Sequence, residues 1–346
     1  MAPSVGTDKP SSIDHAGPRP HRARVKKIAL ALVALCAFCS TAPVSSWAQA
    51  WPTQPLHLIV PFPPGGVTDV MARVVAQRLA EELGQSVVVD NRAGASGIVG
   101  AEAGAKAAPD GYTLTMGNIS TLAINSATFL KLPYDPQKSF APVSMVAIQP
   151  LLVAVHPSVP AKTMQELVAL AKAKPGELAY GTAGSSIHLA VEQFSTVAGI
   201  KMNHIPYKGS APAINDLVGG QIQVLFDPFS TLYPQVAAGK VRALAVTTGK
   251  RSSVAPDLPT LAEAGYPGFD VSSWQGIVLP AGTPQPVVGK LHEVLVKILA
   301  EPGVKAQFAK QGAESAASTP QEFGDYIAAE IVRWKKVAQD AGVQPE

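Results

Sequence analysis

The sequence has little cysteine, and what it has lies at one end. Only two of the 346 residues are cysteine, Cys36 and Cys39, and both precede residue 51. A chain that begins at residue 51 therefore has no thiol for a disulfide bond, a nucleophile or a thiolate metal site. Charged residues are also few, at 15% of the chain, while 47% of the residues are hydrophobic. This composition is typical of a globular protein.

The excess of positive charge is confined to the same end. The formal net charge is +3, but the first fifty residues carry six of the 28 Lys and Arg residues and only two of the 25 Asp and Glu residues. The rest of the chain therefore has a net charge of −1. Because this balance indicates no basic surface for a polyanion, we predict no nucleic-acid partner.

The first fifty residues have the pattern of a secretory signal peptide. Basic residues between Arg19 and Lys27 precede an apolar run over residues 28–38, and small residues then lead to Ala48-Gln49-Ala50. The run is too short to span a membrane as a mature helix, and an A-x-A triplet is a cleavage signal. We therefore predict a signal peptide over residues 1–50, cleavage after Ala50 and a mature protein in the periplasm.

Motifs of the common catalytic and cofactor sites are missing. The sequence has no G-x-S-x-G nucleophile elbow, no H-E-x-x-H zinc motif and no Walker-type phosphate loop. Gly94, Gly97 and Gly100 have the spacing G-x-x-G-x-x-G, and the acidic residue expected about twenty positions after a dinucleotide fingerprint is absent. We predict no catalytic residue, no metal and no cofactor.

Segments typical of strands and of helices alternate through the chain, which predicts an α/β fold with parallel, doubly wound sheets. An apolar run over residues 143–155 is long enough to cross between two lobes, and the chain can return near residues 270–278. We predict two lobes joined by two hinge strands, with residues 51–150 and 273–346 in lobe 1 and residues 151–272 in lobe 2. Trp274, beside the return strand, is expected in the core rather than in a cleft wall.

The tail of the chain carries three helix patterns, at residues 286–299, 304–311 and 320–341. The last pattern begins with Thr319, Pro320 and Glu322, which have the spacing of a capping box with proline at the first helical position. This helix can return to pack on the first lobe.

The stretch from His57 to Asp69 predicts a first ligand-binding loop. A short apolar strand is followed by prolines and by Gly65 and Gly66, and Thr68 and Asp69 then begin a helix. Glycine can adopt positive φ and leaves backbone N–H groups unshielded, so this turn and the helix N-terminus favour an anion. The same pattern also fits an ordinary, well-capped βα loop.

A second loop of the same kind runs from Gly181 to His188, where Thr182, Ala183, Gly184, Ser185 and Ser186 precede a helix. Ligands of open α/β sheets bind beyond the carboxyl ends of the strands. The two loops would then aim two anion-favouring helix starts, one in each lobe, at one shared gap.

Single polar residues near other strand ends have two interpretations each. His188 lies in the first turn of a helix and fits a structural hydrogen-bonding role better than that of a general base. Asp227 follows an apolar strand as a helix cap or as a ligand contact that could receive an ammonium or a hydroxyl group. Lys208 is a solvated loop lysine or a helper in anion binding. Asn118 ends another strand.

A series of motifs in one order then resembles the Bug family of periplasmic solute receptors, the binding subunits of tripartite tricarboxylate transporters. The resemblance covers the chain from Trp51 to the last helix. The motifs are WPTQP (51–55), IVPFPPGG (59–66), VDNR (89–92), PDGY (109–112), LPYDP (132–136), PYKG (206–209), FD (226–227) and LPT (258–260).

The resemblance implies a type II, Venus-flytrap periplasmic binding protein that closes on a small carboxylated solute and presents it transiently to integral-membrane permease subunits. The loops at residues 62–69 and 182–188 would hold the carboxylate through backbone N–H groups, hydroxyls and waters, and Asp227 would contact the far end of the solute. The candidate ligand-binding residues are Phe62, Gly65, Gly66, Thr68, Asp69, Asn118, Thr182, Ala183, Gly184, Ser185, Ser186, His188, Lys208 and Asp227.

The chain departs from the family pattern at two places in these loops. The loop from Gly184 to His188 is about two residues shorter than is usual, and Pro228 replaces a common asparagine. Two other functions stay open: a ligand-sensing receptor for a signalling partner, and a secreted hydrolase or isomerase on a similar frame.

Overall fold

The computed structural model describes residues 51–343 and residue 345. The predicted signal peptide at residues 1–50 lies outside the described residues. Among the described residues, no helix has both the length and the apolar character needed to cross a membrane.

The described part of the chain contains ten strands in a single sheet. They are β1 (Leu56–Val60), β2 (Val87–Asn91), β3 (Thr113–Asn118), β4 (Phe140–Val155), β5 (Ala179–Thr182), β6 (Asn203–Pro206), β7 (Val224–Pro228), β8 (Arg242–Val246), β9 (Ser272–Pro280) and β10 (Glu314–Ser315).

Helices follow most of these strands, as the alternating pattern predicts. They are α1 (Val67–Leu83), α2 (Ile98–Ala105), α3 (Asn125–Thr128), α4 (Met164–Ala173), α5 (Ser185–Ala198), α6 (Ser210–Val218), α7 (Phe229–Ala237), α8 (Gln285–Ala300), α9 (Pro302–Lys310) and α10 (Pro320–Asp340).

The sheet is mixed, so the prediction of purely parallel sheets is wrong for β4, β8, β9 and β10, which have only antiparallel partners. Its order is β2-β1-β3-β9-β4-β7-β5-β6, and β8 and β10 also pair with β4. β1 pairs in parallel with β2 and β3, and β5 pairs in parallel with β6 and β7. β4 and β9 are antiparallel to all their partners in the sheet. β4 runs in the direction of β1 and β3, and β9 runs in that of β5 and β7, because these two strands carry the chain between the two halves of the sheet.

β4 connects the two lobes through a change of partner along its length. Its residues up to Pro150 pair with β9, and from Leu151 onward it pairs with β7 and β8. The strand is 16 residues long and almost wholly buried, because both of its ends lie in the interior of the sheet. The predicted two-lobed fold, with two strands as the hinge, is thus confirmed in its architecture.

The last helix packs beside the hinge and buries a carboxylate. Both indole N–H groups of Trp274 and Trp334 donate to one oxygen of Glu330, at 3.1 and 3.0 Å. Trp274 is fully buried, as predicted, and its ring meets Phe323 edge-on. The capping box from Thr319 to Glu322 is present.

One segment differs from its prediction as a loop-rich stretch. After β3 the chain forms a helical turn over residues 120–124 that continues into α3. Four apolar residues of this segment, Leu122, Ala123, Ile124 and Ala127, are buried in the same core cluster as Trp334 of α10. The segment is too short to form a helix by itself, and burial against distant residues stabilises it.

Candidate ligand-binding cleft

A cleft of about 190 Å³ lies between the turn after β3, the hinge strands and the starts of three helices. None of its lining side chains is charged; they are Ile119, Leu151, Ala183, Ser186, Ile187, Ser210, Pro228, Val271, Ser272 and Ser273.

The start of α5 forms one wall of this cleft. Gly184 precedes the helix with φ of +102° and ψ of 163°, a conformation that residues with a side chain rarely adopt. The first turn of α5 contains no acidic residue, and no side chain caps it. The first helical N–H groups have no acceptor within a helix, so the start of α5 keeps donors for an anion.

The start of α1 is occupied by a carboxylate of the protein itself. One oxygen of Asp69 accepts hydrogen bonds from the Gly65 amide and the Arg73 guanidinium, both at 2.9 Å. The other accepts from the Asn91 side chain at 2.9 Å. Burial by itself raises the pKa of Asp69, but these donors together hold it below its usual value. Asp69 is buried, and its carboxylate ties the glycine turn to the helix.

Asp227 ends β7 and is completely buried. Ser210, the first residue of α6, donates its hydroxyl to one carboxylate oxygen at 2.9 Å, and Thr231 in the first turn of α7 donates to the other. Burial raises the pKa of Asp227 to about 6, although both hydroxyls oppose the shift. Asp227 therefore contacts the cleft wall through Ser210.

His188 lies one turn into α5 and stacks on His204, with ring centroids 4.0 Å apart. The Thr182 hydroxyl shares a hydrogen bond of 2.7 Å with Nε2 of His204. Burial lowers the pKa of both imidazoles, and Glu192 opposes the shift. The structure thus places Thr182 and His188 in a polar cluster directly behind the start of α5.

The remaining candidate residues lie around these loops. The Asn118 side-chain oxygen accepts from the amides of Ser120 and Thr121, which organises the turn at Ile119. The Phe62 carbonyl accepts from Asn91, and Lys208 is exposed. Gly65 has φ of +82° and precedes Gly66 at the start of α1, where Thr68 is buried. Ser185 begins α5.

Ala183 and Ser186 are the two predicted residues that line the cleft, and eight further lining residues were missed. Ile119, Ser210 and Pro228 each neighbour a predicted residue, so the strand-end pattern pointed to them without naming them. Leu151 and residues 271–273 come from the hinge strands. They have no local signal because β4 and β9 meet only through long-range pairing.

Comparisons with known proteins agree on one family. Residues 71–343 match the model of the "Tripartite tricarboxylate transporter family receptor". Protein BugT of Bordetella pertussis is 41% identical over 306 residues, which cover 88% of this chain and 93% of that protein.

Solved structures of similar proteins cover most of the chain. R. palustris Rpa4515 with adipate is 40% identical with a TM-score of 0.74, over 86% of this chain and 100% of that one. MatC from Rhodopseudomonas palustris with bound malate is 32% identical with a TM-score of 0.69, over 83% of this chain and 99% of that one.

Proposed function

The chain belongs to the tripartite tricarboxylate transporter receptor family, as its motifs predicted, and on that premise we propose that it is a periplasmic receptor for a small organic acid. The receptor binds its solute in the cleft and delivers it to the membrane subunits of a tripartite transporter. It performs no chemistry on the solute and needs neither metal nor cofactor.

The start of α5 is the observation that carries this proposal. It offers backbone N–H groups that no carboxylate of its own first turn occupies, and it lies in the wall of the cleft. The helix dipole adds partial positive charge at that point. Since the cleft lining contains no cationic side chain, backbone amides and serine hydroxyls are the donors that hold the acid. Two related proteins have structures with dicarboxylic acids, adipate and malate.

The hinge supplies the motion that a receptor needs. β4 and β9 join the lobes, which we assign to residues 51–150 with 273–346 and to residues 151–272. Closure brings the loop at residues 62–69 toward the start of α5 and removes water from the gap. Each hydrogen bond to the carboxylate is stronger in that drier environment. The closed pair of lobes then forms the surface that the permease subunits recognise.

A proline substitution at one position tests whether the backbone amides of α5 bind the acid. Ser185→Pro removes the first N–H of α5 at a position where a helix tolerates proline, and the ψ of 163° at Gly184 suits a following proline. Ser185→Ala keeps the amide and is the matched control. A hydrogen bond to a charged group contributes about 1.5–3 kcal/mol, so we expect Ser185→Pro to weaken acid binding by roughly tenfold or more.

Acids that bind are first found by thermal shift with a library of carboxylates, because a ligand of the folded form raises its melting temperature. Calorimetry then compares the two variants. A library in which no acid raises the melting temperature contradicts the receptor function. Turnover of a bound acid by the purified protein would instead make it an enzyme. Equal affinity in Ser185→Pro and Ser185→Ala moves the carboxylate away from α5.

Export is the remaining part of the proposal. Expression of the full chain in a Gram-negative host and N-terminal sequencing of the periplasmic protein should give Trp51 as the first residue, since the A-x-A triplet ends at Ala50.

A further inference from the structure

The cleft already has a negative charge of the protein itself, Asp227, beside two of its helix starts. Three helices begin in its lining: α5, α6 at Ser210, and α7 directly after Pro228. The carboxylate of Asp227 lies at the starts of both α6 and α7, where it accepts from Ser210 and Thr231. A negative charge at a helix N-terminus satisfies the dipole there. A second anion at these two helices would meet the charge of Asp227.

The turn after β3 is filled in the same way. The amides of Ser120 and Thr121 both donate to the side-chain oxygen of Asn118, at 3.0 and 3.1 Å. These donors are therefore not free for a ligand that contacts Ile119. The first turns of α5, α6 and α7 all lack an acidic residue and a side-chain cap, and what distinguishes α5 is that none of the described hydrogen bonds joins it to Asp227.

Ser210 is left with acceptor capacity alone. An ionised carboxylate can only accept hydrogen bonds, so the bond of 2.9 Å between Ser210 and Asp227 uses the single proton of the serine hydroxyl. Two lone pairs of Oγ remain, and Ser210 lines the cleft. None of the salt bridges among the described residues includes Asp227, so its charge stays uncompensated beneath this serine.

The groups that fit beside Ser210 follow from this polarity. An O–H or N–H group of a ligand can donate to Oγ of Ser210. An ammonium group is also attracted by the buried negative charge of Asp227, which is hydrogen-bonded to the same hydroxyl. A carboxylate at the same place would face lone pairs and a like charge, which is unfavourable in a partly desolvated site. The aliphatic side chains of Ile119, Leu151 and Val271 also line the cleft and make part of its wall apolar.

We propose that Ser210 selects the far end of the ligand, so that the cleft prefers a small acid with one carboxylate and a terminal hydroxyl, amide or ammonium group over a dicarboxylate of the same length. This inference rests on the proposed function, because it assumes that the carboxylate end lies at α5. Ser210 is thus a specificity-determining residue, and Asp227 is a positioning residue that orients the hydroxyl proton of Ser210.

Matched ligands test the preference without any mutation. The four-carbon series is succinate, succinamate, 4-aminobutyrate and 4-hydroxybutyrate, and the six-carbon series is adipate, adipamate, 6-aminohexanoate and 6-hydroxyhexanoate. Calorimetry at pH 7.5 measures each dissociation constant with the full mature chain. We expect at least one donor-ended acid to bind about tenfold tighter than the dicarboxylate of its series.

Variants then assign the preference to one side chain. Ser210→Ala removes the acceptor and should lower the preference for the hydroxyl- and amide-ended acids by about fivefold, although the charge of Asp227 still acts on an ammonium or a second carboxylate. Ser210→Thr keeps a hydroxyl and should keep the preference. Ser253→Ala is the control, because Ser253 is exposed and does not line the cleft. Its preference should equal that of the wild type.

The outcomes separate this inference from the function on which it rests. Dicarboxylates that bind as tightly as, or tighter than, every donor-ended acid overturn the inference and leave a carboxylate receptor. If the preference of Ser210→Ala for donor-ended acids equals that of the wild type, the assignment to Ser210 is wrong. If no acid of either series binds and no carboxylate raises the melting temperature, the proposed function itself is wrong.

Discussion

The imidazole of His188 lies flat on that of His204, with the ring planes 5° apart. The two histidines come from α5 and β6, and they face Glu192 of α5 and Tyr180 of β5, whose hydroxyl donates to Glu192. The cluster therefore couples the helix that begins at the cleft to two strands of the sheet beneath it.

We first predict that the stacked pair of His188 and His204 makes the folded protein less stable at low pH. Burial lowers the pKa of both histidines, and for His204 the nearby His188 adds to the shift. The unfolded chain then binds more protons than the folded one below about pH 6.5, so the free energy of unfolding falls as the pH drops through that value. His188→Gln should make this fall shallower in urea unfolding curves between pH 7.5 and 5.5. Parallel pH profiles of variant and wild type would contradict the prediction.

Asp227 should give a dependence of the opposite sign. Its pKa is raised to about 6 by burial, so between about pH 4 and pH 6 the folded protein holds a proton that the unfolded chain has released. The free energy of unfolding therefore falls as the pH rises through this window, by about 3 kcal/mol for a shift of about two pH units. Asp227→Asn cannot titrate and should lack this fall in the same measurement. A variant profile that keeps the full fall would assign it to other groups.

Asp69 should matter far more to stability than its exposed neighbour Asp90. Asp69→Ala removes the acceptor of the Gly65 amide, the Asn91 side chain and the Arg73 guanidinium, and a hydrogen bond to a charged group contributes about 1.5–3 kcal/mol. We expect a loss of about 2–4 kcal/mol in the free energy of unfolding. Asp90→Ala breaks only a surface pair with Arg92, which is worth about 1 kcal/mol or less. Equal losses in the two variants would show that the turn at α1 does not depend on Asp69.

The same substitution should have opposite effects at two glycines. Gly184→Ala forces a side chain into a backbone conformation that costs about 1–3 kcal/mol, and it should weaken acid binding because it shifts the start of α5. Gly289→Ala lies inside α8, where a new Cβ meets no atom within 4 Å, and should stabilise the protein by up to about 1 kcal/mol. Thermal unfolding of both variants checks the signs. A stabilised Gly184→Ala would mean that the loop relaxes to another conformation.

Local pattern predicted the elements of this protein well. The predicted helices at residues 286–299 and 320–341 agree with α8 and α10 to within one residue at each end, and Thr319 and Glu322 form the capping box that their spacing indicates. Both features depend on contacts between residues three or four positions apart, so the amino-acid order contains all the information they need. The glycines before α1 and α5 were predicted to adopt unusual backbone angles for the same reason, and Gly65 and Gly184 have positive φ.

The cleft is different, because its walls come from distant parts of the chain. Val271 and Leu151 lie 120 positions apart and line the same cavity because of the pairing of long strands. Nothing in their neighbourhood along the chain indicates a ligand. Asp69 and Asp227 likewise lie in sequence patterns that begin a helix. Only the tertiary structure shows that donors within the protein already bind each carboxylate.

The amino-acid sequence by itself determined the order of strands and helices, the glycine turns before two helices and the motifs that place the chain in its family, since each depends on short-range chemistry. The tertiary structure decided the directions of β4 and β9, the helical turn after β3 and the polarity of the cleft. Those features depend on which distant residues meet, and the free energy of burying them together becomes available only when the whole sheet has formed.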